Sequence, residues 1–162
     1  MDKFEHLKSK ILTKEELKPL LNVLKFHRKK IVFSNGCFDI LHRGHIEYLS
    51  KAASLGNCMV IGLNTDDSVR RLKGENRPVQ DETSRSQVMA SLHFVDYVVL
   101  FDEDTPYELI KYLMPDMLVK GSDYTEDNIV GADIVKANGG KVETIDLVDG
   151  YSTTSVIERS KS

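Results

Sequence analysis

The sequence predicts an α/β fold: a doubly wound, mostly parallel sheet of five strands with helices on both faces. Three observations carry this. Apolar runs of strand length alternate with helix-period segments along nearly the whole chain. Helix start and stop signals punctuate the alternation where they are needed. The 162 residues, 41% hydrophobic and 29% charged, suffice for one domain with its own core. Alternation of this kind needs right-handed crossovers, and ligands then gather at the carboxyl ends of the strands.

Residues 1–28 read as a polar, helical lead-in. Thr13-Lys14-Glu15-Glu16 forms a capping box ahead of Leu17, Leu20, Leu21 and Leu24 at helical spacing. This face is expected to pack on the chain's own sheet or on a second copy in a homo-oligomer. A strand over 31–34 follows, then a helix over 44–55, a strand over 58–63, helices over 66–72 and 83–92, and a strand over 95–100. Thr105-Pro106-Tyr107-Glu108 supplies an N-cap, a proline at the first helical position and a glutamate at the third, so a helix over 106–113 is expected before a strand over 116–120. A helix over 127–137 stops at Asn138-Gly139-Gly140, a strand runs over 141–146, and a last helix covers 153–160. Residues 72–81 form the longest loop, a candidate lid. One domain, 1–162, is expected.

The net charge of −3 argues against a nucleic-acid groove, whose affinity rests on clustered cations. A small anion needs only a few cations converging in one cleft. The two cysteines, Cys37 and Cys58, lack the spacing of a zinc ribbon or a disulfide framework. There is no N-terminal apolar leader and no apolar run of about 18 residues, so no membrane span is expected and the cytoplasm is the expected compartment.

The chemistry concentrates in Gly36-Cys37-Phe38-Asp39-Ile40-Leu41-His42-Arg43-Gly44-His45, where an apolar strand gives way to a helix. Free backbone N–H groups and the helix dipole favour an anion there, and two imidazoles add donors. A surface histidine beside a capping histidine is the plainer alternative. Zinc on Cys37, His42 and His45 would lack a local fourth ligand. Asp39 could bind a substrate hydroxyl, orient an imidazole or brace the loop. Lys73 and Arg85, in and after the long loop, are candidate flexible cations that close over a polyphosphate. Asp123, in Lys120-Gly121-Ser122-Asp123-Tyr124 after the fourth strand, could hold a ribose or sugar hydroxyl or simply shape a turn. Tyr151-Ser152-Thr153-Thr154-Ser155 carries more hydroxyls than one helix cap requires, which suits the outer phosphates of a triphosphate. No P-loop and no G-x-G-x-x-G is present.

These residues together resemble the H-x-G-H nucleotidyltransferases, a family with a Rossmann-like sheet related to cytidylyltransferases. Residues 36–45 look like its first signature, Arg85 like the arginine of its middle one, and 151–154 like its late Ser/Thr motif. Segments 64–74, 119–124 and 150–154 look most like heptose 1-phosphate adenylyltransferases. The resemblance implies transfer of AMP from ATP, with Mg2+, to a sugar 1-phosphate that a separate heptose kinase supplies. It implies catalytic roles for His42, His45, Lys73 and Arg85, and nucleotide contacts from Gly36, Cys37, Phe38, Gly44, Asp123, Tyr151, Ser152, Thr153 and Thr154. Substrate contacts would come from Asp39, Asp66 and Lys120, with no protein metal ligand. CTP with an alcohol phosphate such as glycerol 3-phosphate, and a noncatalytic nucleotide- or metal-binding module, remain the alternatives.

Overall fold

A computed structural model describes residues 1–162. Five strands, β1 (Ile31–Gly36), β2 (Cys58–Asn64), β3 (Tyr97–Phe101), β4 (Met117–Gly121) and β5 (Lys141–Ile145), form one sheet in the order β3-β2-β1-β4-β5. Every pairing is parallel, with Phe33 opposite Val60 on one side and Leu118 on the other. Successive side chains point to opposite faces, so the apolar runs feed two cores. Ile31, Phe33, Val60, Val99 and Leu118 pack on one face; Val32, Met59, Ile61, Val98 and Val119 pack on the other.

The first face is covered by α2 (Lys14–Phe26), α6 (Tyr107–Leu113) and α7 (Ala132–Ala137), through Leu17, Leu21, Leu109, Ile110, Leu113 and Val135. The second is covered by α3 (Arg43–Ala53) and α5 (Glu82–Ser91), through Tyr48, Leu49, Ala52, Met89 and Ala90. The order is completed by α1 (Lys3–Lys8), α4 (Asp66–Lys73) and α8 (Thr153–Ser160). No helix is long and apolar enough to cross a membrane.

The lead-in packs on its own sheet. Thr13 and Glu16 form the expected capping box, and the segment before it pairs with the free edge of β3, Leu12 N–H donating to Val98 O and Val98 N–H to Lys10 O. Covering that edge removes a row of unpaired backbone groups.

Two local expectations are corrected. Helix α6 begins at Tyr107 with Pro106 as its N-cap residue, and no side chain caps it; Thr105 turns toward a cleft instead. The expected helix over 127–137 is broken into a 3-10 turn (Glu126–Asn128) and α7. Gly131 between them has φ +88°, a region that favours glycine, and an added Cβ would meet Ile110 of α6 at 2.7 Å.

Candidate active site

In this strand order the chain leaves β1 toward β2 and β3, then crosses back to β4 and β5. Connections from neighbouring β1 and β4 therefore diverge, and a crevice opens above their carboxyl ends. A cavity of about 710 Å³ sits there. Gly36, Cys37, Phe38, Asp39, His42, Gly44 and His45 line it from the β1–α3 side, Lys73 from the end of α4, Lys120 and Asp123 from the end of β4, and Tyr151, Ser152, Thr153 and Thr154 from the start of α8. Residues more than 100 positions apart thus share one cavity. Thr153 Oγ1 donates to Ile40 O at 3.2 Å, tying α8 to the histidine turn.

His42 is the N-cap of α3, its Nδ1 accepting from Gly44 N–H at 3.1 Å. The neutral ring must then carry its proton on Nε2. The His45 ring lies 3.9 Å from that of His42, centroid to centroid and 26° from parallel, and its Nδ1 is buried with no partner. A proton on His45 Nδ1 would be a buried, unpaired donor, so the neutral ring favours Nε2–H as well. Burial, and then the neighbouring His42, push His45 down to about 4; burial lowers His42 too. The pair is two neutral, stacked donors on one helix start.

The backbone beneath is strained. Phe38 has φ +44°, uncommon for a bulky residue. Its ring packs edge-on to His45 at 5.4 Å and lies where a side chain on Gly36 would go, 3.0 Å from an added Cβ. A Cβ on Gly44 would lie 2.9 Å from the His42 ring. The glycines let strand, turn and imidazoles approach this closely.

Lys120 donates to Asn35 O at 3.2 Å and lies 5.5 Å from the Tyr124 ring centroid. Burial pushes its ammonium down to about 8 against the opposing pull of Asp123. Lys73 forms no ion pair and is exposed at the rim. Burial raises the Cys37 thiol, although Lys73, Arg85 and Arg77 oppose it, so the sulfur stays protonated at neutral pH. No group of three or more His, Cys, Asp or Glu side chains is arranged to hold a metal ion. Among the hydroxyls, Ser152 is the cap of α8, accepting from Ser155 N–H at 3.0 Å.

Arg85 and Asp66 stand apart from the cleft. Arg85, 1% exposed, is no flexible cation: its guanidinium donates to Gln80 O, Cys37 O and Asn64 O and pairs with Asp66 at 2.7 Å. Four of its five N–H donors are used and it does not line the cavity, so a role on phosphate is corrected to one in the frame. Asp66, held by Arg85, does not line the cavity, which removes the expected substrate contact. Asp39, also 1% exposed, accepts from Arg77 Nε, Val79 N–H and Gln80 N–H. Burial alone would raise its pKa, but the Gln80, Val79 and Arg77 donors outweigh it and hold the carboxyl below its usual range. Its fully buried carboxylate is out of reach of a ligand, so a direct substrate contact is likewise corrected.

Sequence reasoning missed Asn35, which lines the cleft, and preferred Lys73 and Arg85 to Arg77 of the same loop, which lines it too. Asn35 Oδ1 is buried without a partner, and the signal was available: a polar residue closing an otherwise apolar strand. A larger groove of about 850 Å³ lies between the start of α2 and the end of β3. Its Arg71 is already neutralised by Asp104 at 3.0 Å and by Asp102.

Against known proteins, a family model described as cytidylyltransferase-like matches residues 33–159. The chain is 56% identical over 151 residues to the bifunctional protein HldE of Syntrophotalea carbinolica, covering 93% of this chain and 31% of that protein. It is 57% identical over 152 residues to HldE of Campylobacter jejuni, covering 94% and 32%. The chain thus spans about a third of the length of these relatives. Among solved structures, the lipopolysaccharide core biosynthesis protein of Thermoplasma volcanium is 28% identical with a TM-score of 0.60, covering 76% of this chain and 99% of that one. Pantothenate synthetase of Thermus thermophilus, at 14% identity and a TM-score of 0.63, covers 94% of this chain and 70% of its own and shares the fold.

Proposed function

The chain belongs to the cytidylyltransferase-like family of nucleotidyltransferases, and on that premise we propose that it transfers AMP from ATP to a sugar 1-phosphate, a heptose 1-phosphate, releasing pyrophosphate. One observation carries the reading: the stacked imidazoles of His42 and His45 and the hydroxyls of Ser152, Thr153 and Thr154 face a single cleft at the switch point of the sheet. The choice of ATP and heptose rests on the likeness of segments 64–74, 119–124 and 150–154 to heptose 1-phosphate adenylyltransferases. It is supported by the relationship to a lipopolysaccharide core biosynthesis protein.

An oxygen of the sugar phosphate attacks the α-phosphorus of ATP in line. The new P–O bond forms as the α–β bridge breaks, and pyrophosphate carries away the electron pair. No covalent protein intermediate is needed, because an ionised phosphate oxygen is already a nucleophile and the protein's work is positioning and charge stabilisation. His42 and His45 present two Nε2–H donors to oxygens where charge develops. Lys120, held on Asn35 O, and the exposed Lys73 supply positive charge, and the start of α8 offers free N–H groups to the outer phosphates. A magnesium ion would enter the cleft together with the triphosphate. When bound, that ion neutralises the charge of the departing pyrophosphate.

The test is to incubate the chain with ATP or CTP against heptose 1-phosphates and glycerol 3-phosphate, and to weigh the nucleotide product. An ADP-sugar formed only with ATP and a sugar phosphate supports the reading. A CDP-alcohol would move it to the cytidylyl alternative, and bound ATP with no product from any acceptor would make the chain a binding module.

A further inference from the structure

We propose that Asp39 is a positioning residue: its carboxylate latches the root of the 72–81 loop to the turn that carries the histidines, and so sets Lys73 over the cleft. The proposal rests on the reading of the cleft as a triphosphate site, because Lys73 is what the latch delivers.

Asp39 sits three residues before His42 in a cleft-lining turn, yet its oxygens face inward. Oδ2 accepts from Arg77 Nε and Val79 N–H, each at 2.8 Å, and Oδ1 from Gln80 N–H at 2.9 Å. The contact is returned, since Gln80 Nε2 donates to Asp39 O at 2.7 Å. From the far side Arg85 Nε donates to Gln80 O at 3.0 Å, and its Nη1 reaches Cys37 O, two residues before Asp39. Gln80 is therefore held to the β1–α3 turn by its N–H and its side chain, and to Arg85 of α5 by its carbonyl. Bonded by three N–H donors, with Val79 N–H shared between both oxygens, and fully buried, this carboxylate is out of reach of a ligand.

Between that root and the body of α4, whose last residue is Lys73, the chain is held only by Gly74 N–H to Arg70 O at 2.9 Å and Arg77 N–H to Gly74 O at 3.1 Å. Residues 71–76 are all exposed, and Lys73 has no ion-pair partner. Gly74 has φ +102° with nothing within 4 Å of an added Cβ, so the turn beside Lys73 has room to move. A tip able to swing on a fixed root can reach only what lies within a few residues of that root. The ammonium already acts on the Cys37 thiol at the cleft floor. Without the latch, Lys73 would sample open solvent and be lost as a phosphate partner, although no atom of Asp39 touches ATP.

Asp39→Asn and Lys73→Ala, singly and combined in the full chain, test this by steady-state kinetics with magnesium and ATP and by timed trypsin digestion read by mass. Each single variant should raise KM for ATP about 10-fold with a smaller change in kcat, and the double variant should stay within about 3-fold of Lys73→Ala, because two residues acting through one contact do not add. In Asp39→Asn the cut after Lys73 should speed up by about 5-fold or more while cuts elsewhere keep their rates, as local opening of one segment requires. Multiplying effects in the double variant, or an unchanged cut after Lys73, overturns the latch. Should Asp39→Asn fail to fold, Gln80→Ala removes one latch bond without disturbing the buried charge. The same pattern at smaller size supports the proposal, and wild-type KM together with a wild-type cut rate overturns it. If the wild-type chain transfers no nucleotide at all, the functional reading fails, while the digestion still decides the latch.

Discussion

Replacing Gly44 with alanine should separate stability from chemistry. An added Cβ would lie 2.9 Å from Cε1 and Nδ1 of His42, where ordinary contact begins at 3.4 Å, and 3.3 Å from Tyr151 Cβ. The imidazole must retreat by about half an ångström, and it is already stacked on His45 at 3.9 Å and bonded to the Gly44 N–H. Moving it strains that bond, which fixes the proton on Nε2. Misplacing a catalytic group by 1 Å can cost about 10²-fold, so half that shift with a loosened tautomer should lower kcat by about 10- to 100-fold. Alanine gains about 1 kcal/mol over glycine in a helix, and a weakened N-cap loses about as much. The net change should stay within about 1 kcal/mol, or about 4 °C in Tm for a chain of this size. Pyrophosphate release at saturating ATP and sugar phosphate, with a thermal melt on the same sample, measures both. A folded Gly44→Ala protein with wild-type kcat would show that the placement of His42 is irrelevant to turnover and refute the argument.

His45→Ala should depress kcat far more than it raises KM for ATP, since donors matched to developing charge act mainly in the transition state; a loss confined to KM contradicts the assignment. His45 also makes a pH prediction. Its folded pKa is about 4 against an ordinary 6.5, so the unfolded chain binds the extra proton first, and stability should fall as pH drops from about 6.5 to about 4. The full span corresponds to about 3 kcal/mol, less for partial exposure; a His45→Gln chain should lose less over that window in urea melts, and an identical loss in both sinks the idea. Lys120, at about 8, should lose its charge as pH rises from 7 to 9. KM for the phosphorylated substrates should climb over that range and should not climb in Lys120→Gln. Arg85→Met should act on the fold, leaving three carbonyls and the half-buried Asp66 carboxylate without their partner at a cost of about 3 kcal/mol, or about 10 °C in Tm. A normally stable Arg85→Met protein without activity would instead return Arg85 to the chemistry.

What could be read from the sequence was whatever local pattern dictates. Strands buried on both faces must be apolar runs, helices between them must cross over, and ligand groups then collect at strand ends, so the histidine turn, Lys120 and the 151–154 hydroxyls could be assigned to one edge before any contact was known. Local patterns also misled where tertiary contacts overrode them. Thr105 matches a capping box, yet it turns to the cleft and Pro106 takes the cap position. A helical pattern over 127–137 breaks where Gly131 must clear Ile110.

Lys73 and Arg85 show the deeper limit. Both are cations near the same loop, and nothing local distinguishes them. The difference lies in acceptors contributed by three other segments: the carbonyls of Cys37, Asn64 and Gln80, with Asp66 beside them, take four of the five N–H donors of Arg85. Lys73 meets none of these and stays free. A planar fork with five fixed donors suits an environment of converging carbonyls, whereas a flexible ammonium suits a mobile rim over an anion. The residue types therefore fit the two roles once the environments are known: arginine holds the frame and lysine reaches for the ligand. On that division, substitutions at Arg85 should be read in melting temperature and substitutions at Lys73 in KM. The Asp39 carboxylate, bonded to the loop between them, is where the frame meets the moving part.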